Sequence, residues 1–162
     1  MFSGYWRQPE ATLTAWQNLW HHTGDLARTD EHGVLRFVDR KKDAVRRRGE
    51  NVSSLELEAA IRQHPAVADV AVCAIASATG EDDIRAVVVC APDQTLDPAE
   101  LFGFFKRSIP YYAIPRYVEV VEALPVNSLG RVMKHVLRAA APGPDSWDFE
   151  DMGLVVPKGE RR

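Results

Sequence analysis

The sequence is poor in cysteine. Its two, Cys73 and Cys90, both lie in apolar runs, so they make no disulfide framework and read as reduced core thiols of a cytoplasmic protein. Long apolar stretches are also missing. None reaches the ~18 residues that a membrane span needs, and the opening MFSGYWRQPE lacks the basic-then-apolar order of a signal peptide. There is no excess of positive charge: a net charge of −3 excludes general nucleic-acid binding through overall basicity. A metal centre finds no support, because the adjacent His21 and His22 are poorly placed to share one ion and no Cys or carboxylate spacing joins them. No internal repeat and no low-complexity tract occurs. What is present is ordinary for a globular protein, 46% hydrophobic and 27% charged in 162 residues. A chain of that length buries roughly two-thirds of its unfolded surface.

Residues 1–20 read as an aromatic, irregular arm holding Phe2, Tyr5, Trp6, Trp16 and Trp20. That apolar content predicts an arm either poorly ordered or buried against a second copy, so a homo-oligomer is possible through it. Thr23 to Arg28 and Val34 to Asp39 predict two strands, joined as a hairpin through a turn ending at Gly33. A helix is predicted from Ser54 to His64, with Ser53 as N-cap, Glu56 completing a capping box and Pro65 as the stop. Val67 to Ile75 and Ile84 to Ala91 are Val/Ile/Ala-rich strands without clean alternation, which predicts cover on both faces. The loop between them, Ser77 to Asp83, carries Gly80 and acidic side chains. Asp97, Pro98 and Glu100 open a second helix ending near Ser108, whose stripe is Leu101, Phe104, Phe105 and Ile109. Tyr117 to Val121 is a third strand, Leu124 to Gly130 a turn-rich loop, and Arg131 to Ala139 a last helix. Trp147 and Phe149 are possible surface anchors of the tail. The fold class is therefore α+β: a small mixed sheet of about three strands with packed helices and one βαβ-type crossover, preceded by a hairpin segment. The expected divisions are 1–41, 42–140 and a tail, 141–162.

The chemistry concentrates between His21 and Glu58. Arg40 to Arg48 packs six cations into nine residues just ahead of Gly49. In HHTGDLARTDEHGVLRFVDRKKD, a carboxylate at Asp25 can accept from the two hydroxyls of a ribose, and Arg40 can donate to the same sugar or to a phosphate. Taken singly, each is an ordinary turn aspartate or a solvated cation. Their joint order is what carries weight.

That order, with GYWRQPEAT, FVDRKKDAVRRRGENVSSLELE, IPYYAIPRYVEVVEALP and GRVMKHVLR, resembles the AMP-forming adenylating enzymes, and within them the acyl-CoA synthetases. The resemblance runs from Gly4 to about Arg138. The tail SWDFEDMGLVVP is similar to members acting on carnitine-like or other small acyl acids. The resemblance implies two steps: a carboxylate attacks ATP to give an acyl-adenylate and pyrophosphate, and a thiol, usually of CoA, then displaces AMP. Mg2+ is expected for the whole enzyme. The partners implied are small molecules: nucleotide, CoA and an acyl acid held by a large domain. Residues 1–41 would be the end of that large domain. By the same resemblance, Asp25 and Arg40 hold the ribose, Lys42 is the hinge of a mobile C-terminal domain, and Gly49 lies where the pantetheine arm passes close to the backbone. Arg46, Arg47 and Arg48 suit the phosphates of CoA. Neighbours on a strand alternate faces, so the three cannot all point one way. At least one is expected to be merely solvated, leaving Arg46 or Arg48 for CoA.

Two departures from the family follow. The Ser/Thr/Gly-rich phosphate loop ending in Pro-Lys, and the large domain that forms the acyl pocket, are not in this sequence. The chain alone is then expected to be inactive: an excised piece, a truncated product, or a chain meeting its other half in trans. The alternative of another class is a free-standing module that binds CoA, an adenine nucleotide or a partner protein without catalysis. The second departure is Arg131, which stands where the family commonly has its adenylation lysine. Arginine keeps the charge but is wider and planar. Three outcomes fit: Arg131 acts poorly, Lys134 one helical turn on reaches in, or adenylation is lost. An impaired first step with the thioester step less affected is the reading favoured here.

Overall fold

The computed structural model describes residues 2–77 and 80–161; Ala78 and Thr79, inside the loop expected over Ser77–Asp83, lie outside the described residues. The chain forms two compact units that part between Lys42 and Asp43.

In the first unit the expected irregular arm instead contains a helix, α1 (Pro9–Ala15), and a small hairpin of β1 (Trp16–Gln17) and β2 (Trp20–His21). Pro9 near the helix start and Glu10 in its first turn are ordinary start signals. They pass unnoticed because Leu13 and its neighbours form no apolar stripe, and Leu13 is exposed. The Thr12 hydroxyl accepts from the Tyr5 amide at 2.9 Å, tying the arm back to the helix. The predicted hairpin follows as β3 (Asp25–Thr29) and β4 (Leu35–Arg40). Its turn is built by Asp30, whose Oδ1 accepts the amides of His32 and Val34 at 3.0 Å each. The Val34 amide, first among several hydrogen bonds, holds the Asp30 carboxyl below its usual range.

The second unit opens with a tight hairpin, β5 (Val45–Arg47) and β6 (Glu50–Val52), then α2 (Ser54–Ile61). The Ser53 side chain accepts from the Glu56 amide, as an N-cap should. Strands β7 (Val67–Ala76) and β8 (Asp82–Cys90) pair antiparallel. Helix α3 (Pro98–Ser108), with Asp97 accepting from the amides of Ala99 and Glu100, is the crossover to β9 (Tyr117–Val120), parallel to β8. Helix α4 (Lys134–Ala139) follows, shorter than expected. The last strand, β10 (Trp147–Asp148), pairs antiparallel with β9 and completes the sheet order β10-β9-β8-β7.

The α+β class is as the sequence indicates, and the sheet is covered on both faces. Side chains alternate along β7 and β8. Val70, Val72, Ile84, Ala86 and Val88 face a core with α2, α3 and the β5–β6 hairpin. Ala71, Cys73 and Val87 face a smaller core with Leu124 and Leu137 of α4. The sheet has four strands rather than about three, because residues of the expected tail supply β10. Phe149 is not a surface anchor. It is 1% exposed and stacks edge-on against Phe102, centroids 5.3 Å apart. That also buries Phe102, which lies outside the stripe read from the sequence.

Cutting Phe149 back leaves a cavity between α3 and the sheet. Phe149→Ala is expected to cost about 3–5 kcal/mol, read from urea unfolding of the whole chain. A loss below ~1 kcal/mol would show that the segment after β10 adds nothing to the core.

Candidate functional site

The first unit sets Asp25 and Arg40 directly opposite each other across β3 and β4. Arg40 Nε lies 2.9 Å from Asp25 Oδ1, and both side chains remain partly open to solvent. The chain enters this corner through Thr23-Gly24. The Thr23 hydroxyl accepts from the Asp25 amide at 3.1 Å, and the Gly24 carbonyl accepts from the Lys41 amide at 2.7 Å. Gly24 has φ +74°, a left-handed conformation that favours glycine. The arrangement presents a carboxylate acceptor and a guanidinium donor side by side, both open to solvent. Lys42 ends this unit on the surface.

In the second unit, Arg48 and Gly49 are the two central residues of the β5–β6 turn, with φ of +53° and +81°. Two positive φ values define a type I′ hairpin. Glycine at 49 is therefore demanded by the turn itself, and a Cβ there would meet no heavy atom within 4 Å. The three arginines separate as strand geometry requires. Arg46 points outward. Arg47 points inward and is buried: its guanidinium donates to the Ile114 carbonyl at 3.1 Å and lies 3.4 Å from Asp83 and 3.6 Å from Glu150. Burial pushes its pKa down, against the pull of Asp83 and Glu150. Arg48 is exposed, with its guanidinium carbon 5.5 Å from the centre of the Tyr111 ring and its amide donating to Glu81 at 2.8 Å.

Arg131 is also exposed, on a loop organised by Asn127. The Asn127 Oδ1 accepts the amides of Leu129 at 3.0 Å and Arg131 at 2.9 Å, and Gly130 takes φ +75°. Lys134 is held differently. Its Nζ lies 2.8 Å from the Ser54 hydroxyl and 2.6 Å from Glu58 Oε1, and Glu58 also accepts the Val72 amide at 2.8 Å. Arg131 thus presents a solvent-facing cation, whereas Lys134 fastens α4 to α2.

The sequence reading leaves out Asp83, Arg116, Asp148 and Glu150, which form one charge network with Arg47. Arg116 grips Asp148 with Nε at 3.0 Å and Nη2 at 2.8 Å, and lies 3.2 Å from Asp83 and 3.4 Å from Glu150. Burial pushes the Asp148 carboxyl up, but the Arg116 hydrogen bonds and the amides of Asp151 and Glu150 more than offset it, so it falls below its usual range. The one legible signal was acidic residues flanking Phe149. Among the described residues, no group of three His, Cys, Asp or Glu could hold a metal, and no helix is long and apolar enough to cross a membrane. His21 packs on Phe2 and Trp16, and His22 approaches the Gln17 carbonyl.

A capped helix–strand core, an I′ hairpin bearing basic residues and a glycine-turn loop ending in a cation make up the second unit, a small α+β domain. Residues 56–131 match the family model of the AMP-binding enzyme C-terminal domain. It is 39% identical over 140 residues to a long-chain-fatty-acid–CoA ligase of Escherichia coli O6:H1, covering 86% of this chain and 25% of the relative. It is 38% identical over 139 residues to a crotonobetaine/carnitine–CoA ligase of Salmonella paratyphi B, covering 85% and 27%. Among solved structures it resembles ATP-bound MatB from Rhodopseudomonas palustris, with TM-score 0.76 and 35% identity over 86% of this chain and 28% of that one. The chain thus spans about a quarter of the length of these relatives.

Two measurements check these assignments. Lys134→Ala leaves Glu58 buried without its cation and is expected to cost about 3 kcal/mol, whereas Arg131→Ala should change stability by no more than about 0.5 kcal/mol. Equal losses in urea unfolding would contradict the distinction. The Asp148 pKa is lower folded than unfolded, so its contribution is complete above the ordinary aspartate value, about 3.9, and is lost as pH falls through the folded value. Asp148→Asn should therefore flatten the acid side of the stability–pH curve below about pH 4. An unchanged acid slope would contradict the pairing.

Proposed function

We propose that this chain works as the C-terminal part of an AMP-forming acyl-CoA synthetase, joining a carboxylic acid to CoA through an acyl-adenylate. The observation that carries the reading is the partition of its charged residues between the units. Asp25 and Arg40 form a cross-strand pair in the first, Arg131 and the Arg48–Gly49 turn belong to the second, and the units part after Lys42. Names of similar proteins, a fatty-acid and a carnitine-type CoA ligase, support the reaction class.

In this reading Asp25 accepts from the ribose hydroxyls while Arg40 holds its carboxylate in place and donates to the same nucleotide. Lys42 is the pivot. In the first step Arg131 sets its positive charge against the carboxylate and α-phosphate, where negative charge gathers in the transition state. Its planar guanidinium fits less tightly than an ammonium, so this step is slow. In the second step Gly49 leaves room for the pantetheine arm, and Arg46 and Arg48 neutralise the phosphates of CoA. ATP and CoA supply the adenylyl group and the acceptor thiol; Mg2+ accompanies ATP. These 162 residues contain no Ser/Thr/Gly-rich phosphate loop ending in Pro-Lys. Positioning supplies much of a two-substrate rate, so the chain by itself is inactive.

The test is a chimera in which this chain replaces the corresponding quarter of a long-chain-fatty-acid–CoA ligase. ATP–pyrophosphate exchange reports the first step, and thioester formation from supplied acyl-adenylate reports the second. Arg131→Ala is expected to lower exchange by about a hundredfold with the second step nearly unchanged, and Arg131→Lys should raise exchange. Exchange indifferent to both substitutions overturns the role of Arg131. An inactive chimera whose parent ligase works overturns the function.

A further inference from the structure

Behind the β5–β6 hairpin lies a pocket of about 220 Å3 whose lining includes Arg47, Arg48, Tyr111, Arg116, Glu150 and Arg161. Its four cations fall into two classes. Arg47 and Arg116 are neutralised within the domain by Asp83, Asp148 and Glu150. Glu150 is fully engaged, one carboxylate oxygen toward Arg47 and the other toward Arg116. Arg48 and Arg161 take no part in that network, and among the described residues neither has a carboxylate within ion-pair distance. Arg161 donates to the Val156 carbonyl at 3.3 Å. Both guanidinium groups nonetheless converge on one ring, with carbon-to-centroid distances of 5.5 Å for Arg48 and 5.8 Å for Arg161.

The ring quadrupole neutralises little of the charge of these two cations at an exposed site. A ligand with at least two negative charges would supply the counter-charge that they lack. The guanidinium fork matches phosphate oxygens, and the Phe102 and Val155 side chains line the pocket with apolar surface. We propose that the segment after β10 completes an anion site: Arg161, with Arg48 and Tyr111, binds a phosphate-bearing ligand carrying two or more charges. The identity of the natural ligand as CoA rests on the function proposed above; the site itself does not. In this arrangement residues 149–161 are part of the ligand-binding surface as well as of the core.

The experiment is calorimetric titration of the whole chain with inorganic pyrophosphate, and separately with CoA, at low and moderate salt. Saturable pyrophosphate binding that weakens with salt is expected. Arg161→Gln should raise the dissociation constant about tenfold, and Arg48→Gln by a similar factor. Arg28→Gln, which removes a cation from the first unit, should leave it unchanged. Absence of pyrophosphate binding, or equal weakening by all three substitutions, overturns the site. Pyrophosphate binding that depends on Arg161 without any CoA binding keeps the site and counts against CoA as its occupant. CoA binding indifferent to Arg161→Gln overturns the site while leaving the ligase reading intact.

Discussion

The buried guanidinium of Arg47 is the contact on which the second unit depends. It enters the domain because strand alternation turns it inward between the outward-facing Arg46 and the turn residue Arg48. Once inside, it needs carboxylates, and those it meets are distant in the sequence. Asp83 comes from the start of β8, Glu150 from beyond β10, and Arg116 shares both while gripping Asp148. The result is an alternating chain of charges that ties the basic hairpin, the central strand and the end of the chain into one body. Charges taken out of water demand partners in good geometry, so the network fixes where each of these pieces sits.

The same logic sets the other face of the sheet. Helix α4 is six residues long, with Leu137 as its buried apolar contact, too little to hold it by burial alone. Polar contacts do the rest. Lys134 reaches Glu58 and Ser54 on α2; Arg138 meets Asp43 at 3.1 Å; and the buried Arg85, paired with Glu119, donates to the carbonyls of Leu137 and Ala140 at 2.9 Å each. The loop carrying Arg131 leads directly into this fastened helix. In the role proposed for Arg131, a cation set against a transition state gains from a rigid support, because misplacement costs rate steeply.

The motifs that point to the family were legible because each is local. A glycine forced to positive φ, an N-cap serine, and a proline at a helix start act over three or four residues, so they can be read one after another. The hairpin of β3 and β4, the caps of α2 and α3, and the two-sided burial of β7 and β8 are of this kind. Helix α1 was missed because its seven residues bury only Ala15, leaving no apolar period to see. Arg131 and Lys134 are three residues apart with the same charge, and the sequence leaves both as candidates, Arg131 at the family's lysine position and Lys134 as a substitute. In the structure one faces solvent and the other is locked to Glu58.

By itself the sequence determined the α+β class, the order of most elements, the hairpin ahead of the second unit, and the split fate of the three arginines through strand alternation. Tertiary structure alone decided which arginine became structural, that the end of the chain is a sheet strand with Phe149 in the core, and that Tyr111 gathers Arg48 and Arg161. The physical reason is range. Backbone preferences and side-chain alternation act between neighbours in the chain, whereas a buried charge is satisfied by groups that folding brings from as far as 33 or 67 residues away.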